Sequence, residues 1–221
     1  GFSDLVVGAP LDHVSIQVGI INQTGSVGRG YLFSGASMGT SNCAPSLTLE
    51  LDLTCLNLIN ISNKALFGFS VSLVEDRNGD NRPEILVGAP LYAGLSLLAA
   101  KTGGAYVYYS SNTPANNYTT FSSLDVPDFS LLGIVIPGIN TINGLLFGYS
   151  VDGMGDFNGD GAADIVVGAP AGVDISSLTG ILTGQVLGGQ AYVYYGKTDN
   201  TGYLTTIGAE LHAASGGLLG N

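Results

Sequence analysis

The hydrophobic positions of this chain fall into short β-branched and aromatic segments that alternate with polar residues or stop at glycine and proline. The first kind of segment reads DLVVGAP, EILVGAP and DIVVGAP, and each is followed by an aromatic alternation, GYLFSG, GAYVYYSS or QAYVYYGK. Such segments, bounded by Gly and Pro, are typical of β-strands. The pattern therefore predicts consecutive antiparallel strands and an all-β fold.

These segments recur at a fixed interval. Gly8, Gly88 and Gly168 of the three Gly-Ala-Pro sequences are spaced 80 residues apart, and segments 67–90 and 147–170 are nearly the same. In one unit the predicted strands are FGFSVSLV, EILVGAP, AYVYYSS and a less regular stretch near FSLLGIVIP. A fixed period with four short strands per unit is typical of β-propeller blades, whereas a β-sandwich does not normally repeat its sequence.

Each long repeat carries an acidic loop between its first two predicted strands. Side-chain oxygens stand at positions one, three, five and nine, and the carbonyl at position seven has the geometry to join them. Because such oxygens converge on one point, and flexible carboxylates suit calcium better than magnesium, we predict two complete calcium sites. The first set is Asp76, Asn78, Asp80, Arg82 (backbone O) and Glu84, and the second is Asp156, Asn158, Asp160, Ala162 (backbone O) and Asp164.

Two other kinds of loop share part of this pattern. An EF-hand needs Glu at position twelve, where Val87 and Val167 stand inside apolar strands. Ordinary Asn-Gly and Asp-Gly hairpin turns use similar residues, but they do not explain an acid at position nine in both copies. The first copy departs further from the pattern, because Asn81 replaces a glycine and Pro83 stiffens the exit. The calcium interpretation is favoured for both loops.

Phe-Gly, the Asp-x-Asn-Gly-Asp loop and Gly-Ala-Pro together resemble the FG-GAP repeat of integrin α-subunit β-propellers. Related repeats occur in other extracellular proteins, including a phospholipase that acts on glycolipid anchors. The resemblance implies β-propeller-type blades of four antiparallel strands, with a structural calcium loop joining the first two strands. It places the ligands on the residues named above, and Asp4 matches only the last ligand of a loop whose beginning is absent.

The register divides the chain into about three FG-GAP units, incomplete at the ends, within a single domain. The approximate units are 1–66 (partial), 67–146 and 147–221 (partial). Because propellers typically close with four to eight blades, we expect either a fragment of a longer propeller or a subunit completed by other copies. Apolar insertions at 91–104 and 171–189 are expected either to fold back as hairpins or to form subunit contacts.

Charge and composition narrow the classes of partner. Among 221 residues 34 are glycine, 10% are charged, only six are Lys or Arg, and the formal charge is −11. So few positive charges exclude nucleic acid and an anionic membrane surface as partners. The chain also lacks an apolar run of about 18 residues, so we predict no membrane insertion.

Cysteines and sequons favour an extracellular or cell-surface location. Cys43 and Cys55 flank a short segment whose ends can meet across a hairpin, and a single pair of this kind is more often a disulfide than a metal site. Three N-x-[ST] sequons are candidates for N-glycosylation, at Asn22, Asn60 and Asn117. The combination predicts a disulfide-containing glycoprotein.

Support for catalysis is missing from the sequence. His13 and His212 are isolated, and no nucleophile, phosphate-loop or nucleotide-binding motif is present. Aromatic residues on the phased strands suit a sugar-stacking platform, but packing between blades is the more common use of such residues. They are Tyr106, Tyr108, Tyr109, Tyr192, Tyr194 and Tyr195. We therefore predict that the protein is not an enzyme.

Three functions remain. The favoured one is a non-catalytic, calcium-binding extracellular module for adhesion or for recognition of a protein or glycan ligand. The second is a self-assembling subunit of an extracellular fibre or surface layer, in which further copies of the chain complete its terminal blades. The third is an accessory propeller of a larger extracellular enzyme.

Overall fold

A computed structural model describes fourteen parts of the chain. They are residues 4–18, 21–26, 28–33, 35, 47–49, 65–76, 82–92, 103–109, 129–132, 141–153, 155–174, 186–187, 189–197 and 209–212. Within these ranges no segment forms a helix of the length and apolarity needed to cross a membrane.

The regular structure of the described residues consists of strands. In chain order they are β1 (Leu5–Ala9), β2 (His13–Val18), β3 (Ile21–Ser26), β4 (Arg29–Phe33), β5 (Leu47–Leu49), β6 (Ser70–Val74), β7 (Glu84–Ala89), β8 (Gly104–Tyr108), β9 (Phe129–Leu132), β10 (Thr141–Leu145), β11 (Ser150–Asp152), β12 (Ile165–Ala169), β13 (Ala171–Asp174), β14 (Val186–Leu187), β15 (Gln190–Tyr194) and β16 (Ala209–His212).

Three sheets follow the sequence repeat. Blade 1 has the order β1-β4-β5, blade 2 has β6-β7-β8-β9, and blade 3 has β11-β12-β15-β16. Neighbouring strands are antiparallel, with Gly88 opposite Ala105 in blade 2 and Gly168 opposite Ala191 in blade 3. The predicted all-β fold of four-stranded, propeller-type blades is therefore confirmed in blades 2 and 3. The exact unit boundaries stay a prediction.

Strands β1, β4 and β5 of blade 1 correspond to β7, β8 and β9, the second, third and fourth strands of blade 2. Additional strands lie between the second and third strands of the repeat in blades 1 and 3. In blade 1 they form the hairpin β2–β3, in which His13 pairs with Ser26 and Val18 with Ile21. In blade 3, β13 and β14 pair with each other, and β13 also pairs with β10. The described ends of insertion 171–189 thus fold back as strands, which was one of the two expected outcomes. Residues 93–102 of the other insertion lie outside the described residues.

The hydrophobic cores lie between blades. Because side chains alternate along a strand, β7 directs Ile85 and Val87 toward blade 1 and Leu86 toward blade 3. Full burial of such a side chain contributes about 1.5–3 kcal/mol. The core between blades 1 and 2 includes Leu32, Phe67, Ile85, Val87, Tyr106 and Tyr108. The core between blades 2 and 3 includes Leu86, Val107, Phe147, Ile165, Val167, Tyr192 and Tyr194.

The phased tyrosines belong mainly to these cores. Tyr106, Tyr108, Tyr192 and Tyr194 are buried, and Tyr109 packs against the second core. Buried rings cannot stack on a sugar, so the structure rules out the glycan platform for these four. Packing between blades is their role, as the alternative interpretation predicted.

Equivalent residues of neighbouring blades also contact one another. The rings of Phe69 and Tyr149 lie 4.8 Å apart between centroids. The hydroxyl of Ser72 donates to the Oδ1 atom of Asp152 at 3.1 Å. Both contacts join positions separated by one repeat, so blades 2 and 3 are stacked in register.

Candidate functional site

The second acidic loop connects β11 to β12, the first two strands of blade 3. This is the position that the repeat predicts for a metal loop. Residues 155–161 are exposed, whereas the loop ends on the buried side chains of Ala162, Ala163 and Asp164. The loop therefore has an open tip and a closed base.

Asp156 organises the tip of the loop. Its Oδ1 atom accepts hydrogen bonds from the N–H groups of Gly159 (2.7 Å) and Asp160 (3.0 Å), and its Oδ2 atom accepts one from Gly161 at 2.8 Å. The Gly161 bond, helped by those from Gly159 and Asp160, lowers the pKa of Asp156 below its ordinary value. The carboxylate is thus held ionised and turned into the loop.

Asn158 and Asp160 continue this arrangement. The N–H of Asp160 donates to Asn158 Oδ1 at 2.9 Å, and Asn158 Nδ2 donates to Asp160 Oδ2 at the same distance. The N–H of Ala162 donates to Asp160 Oδ1 at 2.8 Å. The oxygen side chains at positions one, three and five are therefore fixed within one short turn.

Asp164 closes the base of the loop and is only 3% exposed. Its Oδ2 atom accepts a hydrogen bond from the N–H of Phe157 at 2.7 Å, and its Oδ1 atom accepts one from Gly196 at 2.9 Å. Gly196 follows β15, so one carboxylate joins the loop to the end of the third strand. Hydrogen bonds to an ionised acceptor are among the stronger ones in proteins.

Asp4 makes the equivalent anchoring contact in blade 1. Its Oδ1 atom accepts a hydrogen bond from the N–H of Gly35 at 2.8 Å, and Gly35 follows β4 as Gly196 follows β15. The sequence pattern predicts Asp4 and Asp164 only as metal ligands. Their anchoring role was missed because Gly35 and Gly196 are distant in the sequence.

The donor set of the loop fits a hard cation, although its carboxylates do not converge in this structure. Within the described residues no group of three or more His, Cys, Asp or Glu side chains is close enough to hold a metal. A carboxylate oxygen that accepts a single backbone hydrogen bond retains a second lone pair, whereas Asp156 Oδ1 already accepts two. An open pocket of about 230 Å³ beside the loop is lined by Asp152, Gly155, Asp156, Phe157, Asp164 and Val166. The ligand assignments stay a prediction.

The first acidic loop is described only at its two ends. Asp76 begins it, Arg82 lies at its exit, and Glu84 begins β7 with a fully buried side chain. Asn78 and Asp80 lie outside the described residues. Blade 2 therefore shares with blade 3 a buried acid at position nine.

Other predicted positions are distributed as follows. Asn22 lies in β3 opposite Gln17, and His13 and His212 lie in different parts of the fold, at β2 and β16. Cys43, Cys55, Asn60 and Asn117 lie outside the described residues. The disulfide and the glycosylation of the sequons stay predictions.

The Phe-Gly and Gly-Ala-Pro sequences meet within each of the two four-stranded blades. The N–H of Gly68 donates to the carbonyl of Gly88, and the N–H of Gly148 donates to that of Gly168, both at 3.0 Å. The repeated sequence thus folds the start of the first strand against the end of the second.

Consecutive blades touch through bare glycine backbone. A Cβ atom built on Gly8 would stand 1.8 Å from the carbonyl oxygen of Gly68, and one built on Gly88 would stand 2.0 Å from that of Gly148. Since no side chain fits at this distance, the glycine of Gly-Ala-Pro permits the close approach of two blades.

Each joint between blades uses a further glycine that the sequence motifs do not mark. Gly28 and Gly103 precede the third strands of blades 1 and 2, with φ of 95° and 87°. Their added Cβ atoms would stand 2.0 and 2.1 Å from the carbonyl oxygens of Phe67 and Phe147. The signal was present in the sequences GRGYLF and GGAYVY.

Comparison with known families identifies the repeat. The family model of the FG-GAP repeat matches residues 147–194, which contain the acidic loop and three strands of blade 3. The chain is an FG-GAP repeat protein.

Curated relatives of this FG-GAP repeat protein include integrin α chains. Mouse integrin alpha-IIb is 36% identical over 108 residues, 48% of this chain and 9% of the relative. Mouse integrin alpha-E is 30% identical over 167 residues, 75% of this chain and 12% of the relative. Bovine phosphatidylinositol-glycan-specific phospholipase D is 30% identical over 173 residues, 77% of this chain and 17% of the relative. The chain thus spans less than a fifth of the length of these relatives.

Proposed function

We propose that this FG-GAP repeat protein is a non-catalytic extracellular or cell-surface module for adhesion or for recognition of a protein or glycan. The observation that carries the proposal is the organised acidic loop of blade 3, inside a repeat that is similar to integrin α chains. In this proposal the loops bind calcium and stiffen the blades, and surfaces outside the buried cores bind the partner.

The residues that would hold calcium in blade 3 are Asp156, Asn158, Asp160, the carbonyl of Ala162, and Asp164. A bound calcium ion would neutralise the negative charge of their carboxylates. The exposed tip already fixes Asp156 and Asp160 by backbone hydrogen bonds. Asp164 also accepts a hydrogen bond from the N–H of Gly196, so a loop ordered by calcium would hold the end of the third strand in place.

Thermal unfolding with calcium, magnesium or chelator tests the calcium proposal. A ligand that binds only the folded state stabilises it by about 2.7 kcal/mol at a hundredfold excess over its Kd. We expect calcium to raise the Tm of the wild type, and to raise it much less in the double variant Asp156→Asn, Asp160→Asn. Glu210→Gln removes one charge from the same blade outside the loop and is the control. An unchanged Tm after addition of chelator would contradict the proposal.

Binding to arrays of glycans and immobilised extracellular proteins tests recognition. We expect a bound partner in calcium and weaker binding after chelation, because the loops order the blades. Nucleic acid and lipid vesicles are expected to give no binding, given the formal charge of −11. Absence of any protein or glycan partner in calcium would count against adhesion and recognition.

A second candidate is an accessory propeller of a larger extracellular enzyme. Similarity over 77% of the chain to a phospholipase D supports this candidate. The recognition function and the accessory function differ in whether the full-length gene encodes a catalytic domain in addition to the blades. A catalytic domain in the full-length gene would favour the accessory role.

An extracellular location carries its own test. We propose a disulfide between Cys43 and Cys55 and glycans at Asn22, Asn60 and Asn117. Mass spectrometry of the protein secreted from its native host, before and after reduction and deglycosylation, measures both. Two free thiols and unmodified sequons would remove this support for the location.

A further inference from the structure

We propose that Asn158 is a site of covalent self-modification, at which the chain converts this asparagine to aspartate or isoaspartate by deamidation. The site lies at the tip of the loop between β11 and β12. Every contact that supports it joins residues 156 to 160, so the site is complete within one short segment. The conversion itself is independent of calcium binding and of the recognition function.

The dipeptide Asn-Gly is the chemical basis of the site. An asparagine loses its side-chain amide when the backbone nitrogen of the next residue attacks its Cγ atom. Glycine obstructs this attack least, because it has no side chain and the backbone around it is the most permissive. Asn-Gly occurs three times in the chain, at Asn78, Asn143 and Asn158. Of these three, Asn158 is the one whose side-chain contacts the structure describes.

The nucleophile at this site is the backbone nitrogen of Gly159. Its N–H donates to Asp156 Oδ1 at 2.7 Å, so a carboxylate oxygen lies beside the proton that the nitrogen must lose. Gly159 has φ of 77°, and a Cβ atom built on it would meet nothing within 4 Å. The space around the attacking nitrogen is therefore open enough for a ring to close.

The side-chain amide of Asn158 is held at both of its polar atoms by one residue. Its Oδ1 atom accepts a hydrogen bond from the N–H of Asp160 at 2.9 Å. This bond withdraws electron density from Cγ and stabilises the negative charge that Oδ1 gains during the attack. Its Nδ2 atom donates to Asp160 Oδ2 at 2.9 Å. Two contacts to the same residue thus keep the amide in one orientation.

The reaction needs water and no other reactant. The nitrogen of Gly159 forms a bond to Cγ of Asn158, the bond from Cγ to Nδ2 breaks, and Nδ2 leaves as ammonia with the proton that Gly159 gives up. The resulting cyclic imide adds one water molecule, which reaches the exposed loop. Opening at one carbonyl gives aspartate, and opening at the other gives isoaspartate. No atom is oxidised or reduced.

The consequence of deamidation for the loop rests on the calcium binding proposed above. Aspartate at position 158 adds a negative charge to the predicted ligands Asp156, Asp160 and Asp164, so we expect it to tighten calcium binding about tenfold. Isoaspartate instead lengthens the main chain by one carbon before Gly159. This displaces the N–H groups that organise the tip, so we expect the isoaspartate form to lose calcium binding. Deamidation therefore produces two forms of the protein with different calcium affinities.

Peptide mapping by mass spectrometry, during incubation at neutral pH in chelator, tests the site. Water labelled with heavy oxygen marks only those products that form during the incubation. We expect Asn158 to convert about tenfold faster in the folded protein than in the same protein unfolded in urea, because the reacting groups are already in place. Asn143 is the internal control, because it lies within β10 and is expected to convert more slowly when folded.

Substitution of the neighbouring carboxylate tests the mechanism. Asp156→Asn removes the proton acceptor beside the N–H of Gly159 and is expected to slow the conversion of Asn158 about tenfold. Glu210→Gln removes one charge from the same blade outside the loop and is expected to leave the rate unchanged. If circular dichroism shows that Asp156→Asn is unfolded, Asp160→Ala replaces it, since this variant frees the amide to rotate and is also expected to slow the conversion.

A folded protein in which Asn158 converts more slowly than in urea overturns the proposal, and so does an unchanged rate in a folded Asp156→Asn variant. Calorimetric titration of calcium into the fresh wild type and into Asn158→Asp measures the consequence separately. Conversion of Asn158 in a protein that binds no calcium supports the modification site and contradicts the calcium proposal. Equal calcium affinities of the wild type and Asn158→Asp would contradict the expected effect of the added charge.

Discussion

Blades 2 and 3 have the same strand order, yet the buried ends of their third strands differ. In blade 3 the hydroxyl of Tyr192 donates to Gln190 Oε1 at 2.5 Å. In blade 2 Gly104 replaces that glutamine, and the buried hydroxyl of Tyr106 has no hydrogen-bond partner in the part of the chain that is described. Both rings nevertheless occupy equivalent places in their cores. The ring, rather than the hydroxyl, therefore determines how a blade packs.

Aromatic geometry supports this conclusion. Phe67 lies 5.9 Å from Tyr106 and 6.1 Å from Tyr108 between ring centroids. Phe147 lies 5.5 Å from Tyr192 and 6.3 Å from Tyr194 in the same tilted and edge-on arrangement. The Phe of Phe-Gly thus makes one repeated aromatic cluster with the two tyrosines of its own blade.

The largest effect is expected where the two blades are joined. Gly88→Ala places a Cβ atom 2.0 Å from the carbonyl oxygen of Gly148, so the blades must separate. We expect a loss of about 4 kcal/mol or more in the free energy of unfolding, measured in urea. Gly155→Ala is the matched control, because nothing lies within 4 Å of its added Cβ atom. Similar stability of the two variants would refute the close joint.

The next effect concerns the acid that anchors the third strand of blade 3. Asp164→Ala leaves the N–H groups of Phe157 and Gly196 without their acceptor, which costs about 3 kcal/mol in the free energy of unfolding. Asp4→Ala removes one such bond in blade 1 and is expected to cost about 1 kcal/mol.

Urea unfolding of both variants should be measured in chelator, so that loss of a metal cannot account for the result. If Asp164→Ala is destabilised only when calcium is present, the anchoring role is wrong and the ligand role alone remains.

A smaller effect separates the two tyrosines. Tyr192→Phe removes the bond to Gln190 and is expected to lower the free energy of unfolding by about 1 kcal/mol. Tyr106→Phe removes a buried hydroxyl that has no partner among the described residues, so we expect equal or higher stability. Thermal and urea unfolding measure both. Equal destabilisation by the two substitutions would show that Tyr106 has a partner in solution.

The smallest effect is a difference in alkaline sensitivity. Burial raises the pKa of Tyr106 well above its ordinary value of 10.0, with smaller contributions from Tyr92 and Tyr108. The folded state therefore retains a proton that the unfolded state releases above about pH 10, and stability falls as the pH rises further. Tyr106→Phe is expected to show a shallower decline in Tm above pH 10. Identical slopes for wild type and variant would indicate that another group causes the decline.

The sequence predicted the blades because their signals are local. The Phe-Gly turn, the Gly-Ala-Pro end and the alternating tyrosines each mark one strand, and a period of 80 residues orders them. The features that the sequence did not predict depend on backbone groups that are far away along the chain. The partner of Asp164 is Gly196, 32 residues away, and the need for Gly28 arises from the carbonyl of Phe67 in the next blade.

Backbone conformation was another feature beyond the reach of the sequence patterns. Leu66 and Leu146, directly before the two Phe-Gly pairs, have φ of 56° and 63°. Leucine rarely adopts this left-handed region, so no propensity rule predicts it. In both blades it closes a turn, since the N–H of Phe69 donates to Leu66 and that of Tyr149 to Leu146.

The position of both cores between blades has a consequence for synthesis of the chain. When Tyr108 has left the ribosome, Ile85 and Val87 can already pack on blade 1, but Leu86 must wait for Phe147 and Ile165. Closing such long loops before any contact is gained slows folding. Each blade therefore leaves the ribosome with one apolar face still exposed, and this face is buried only when the next blade has been translated. The nascent chain is thus most prone to misassociation at the blade that was translated last.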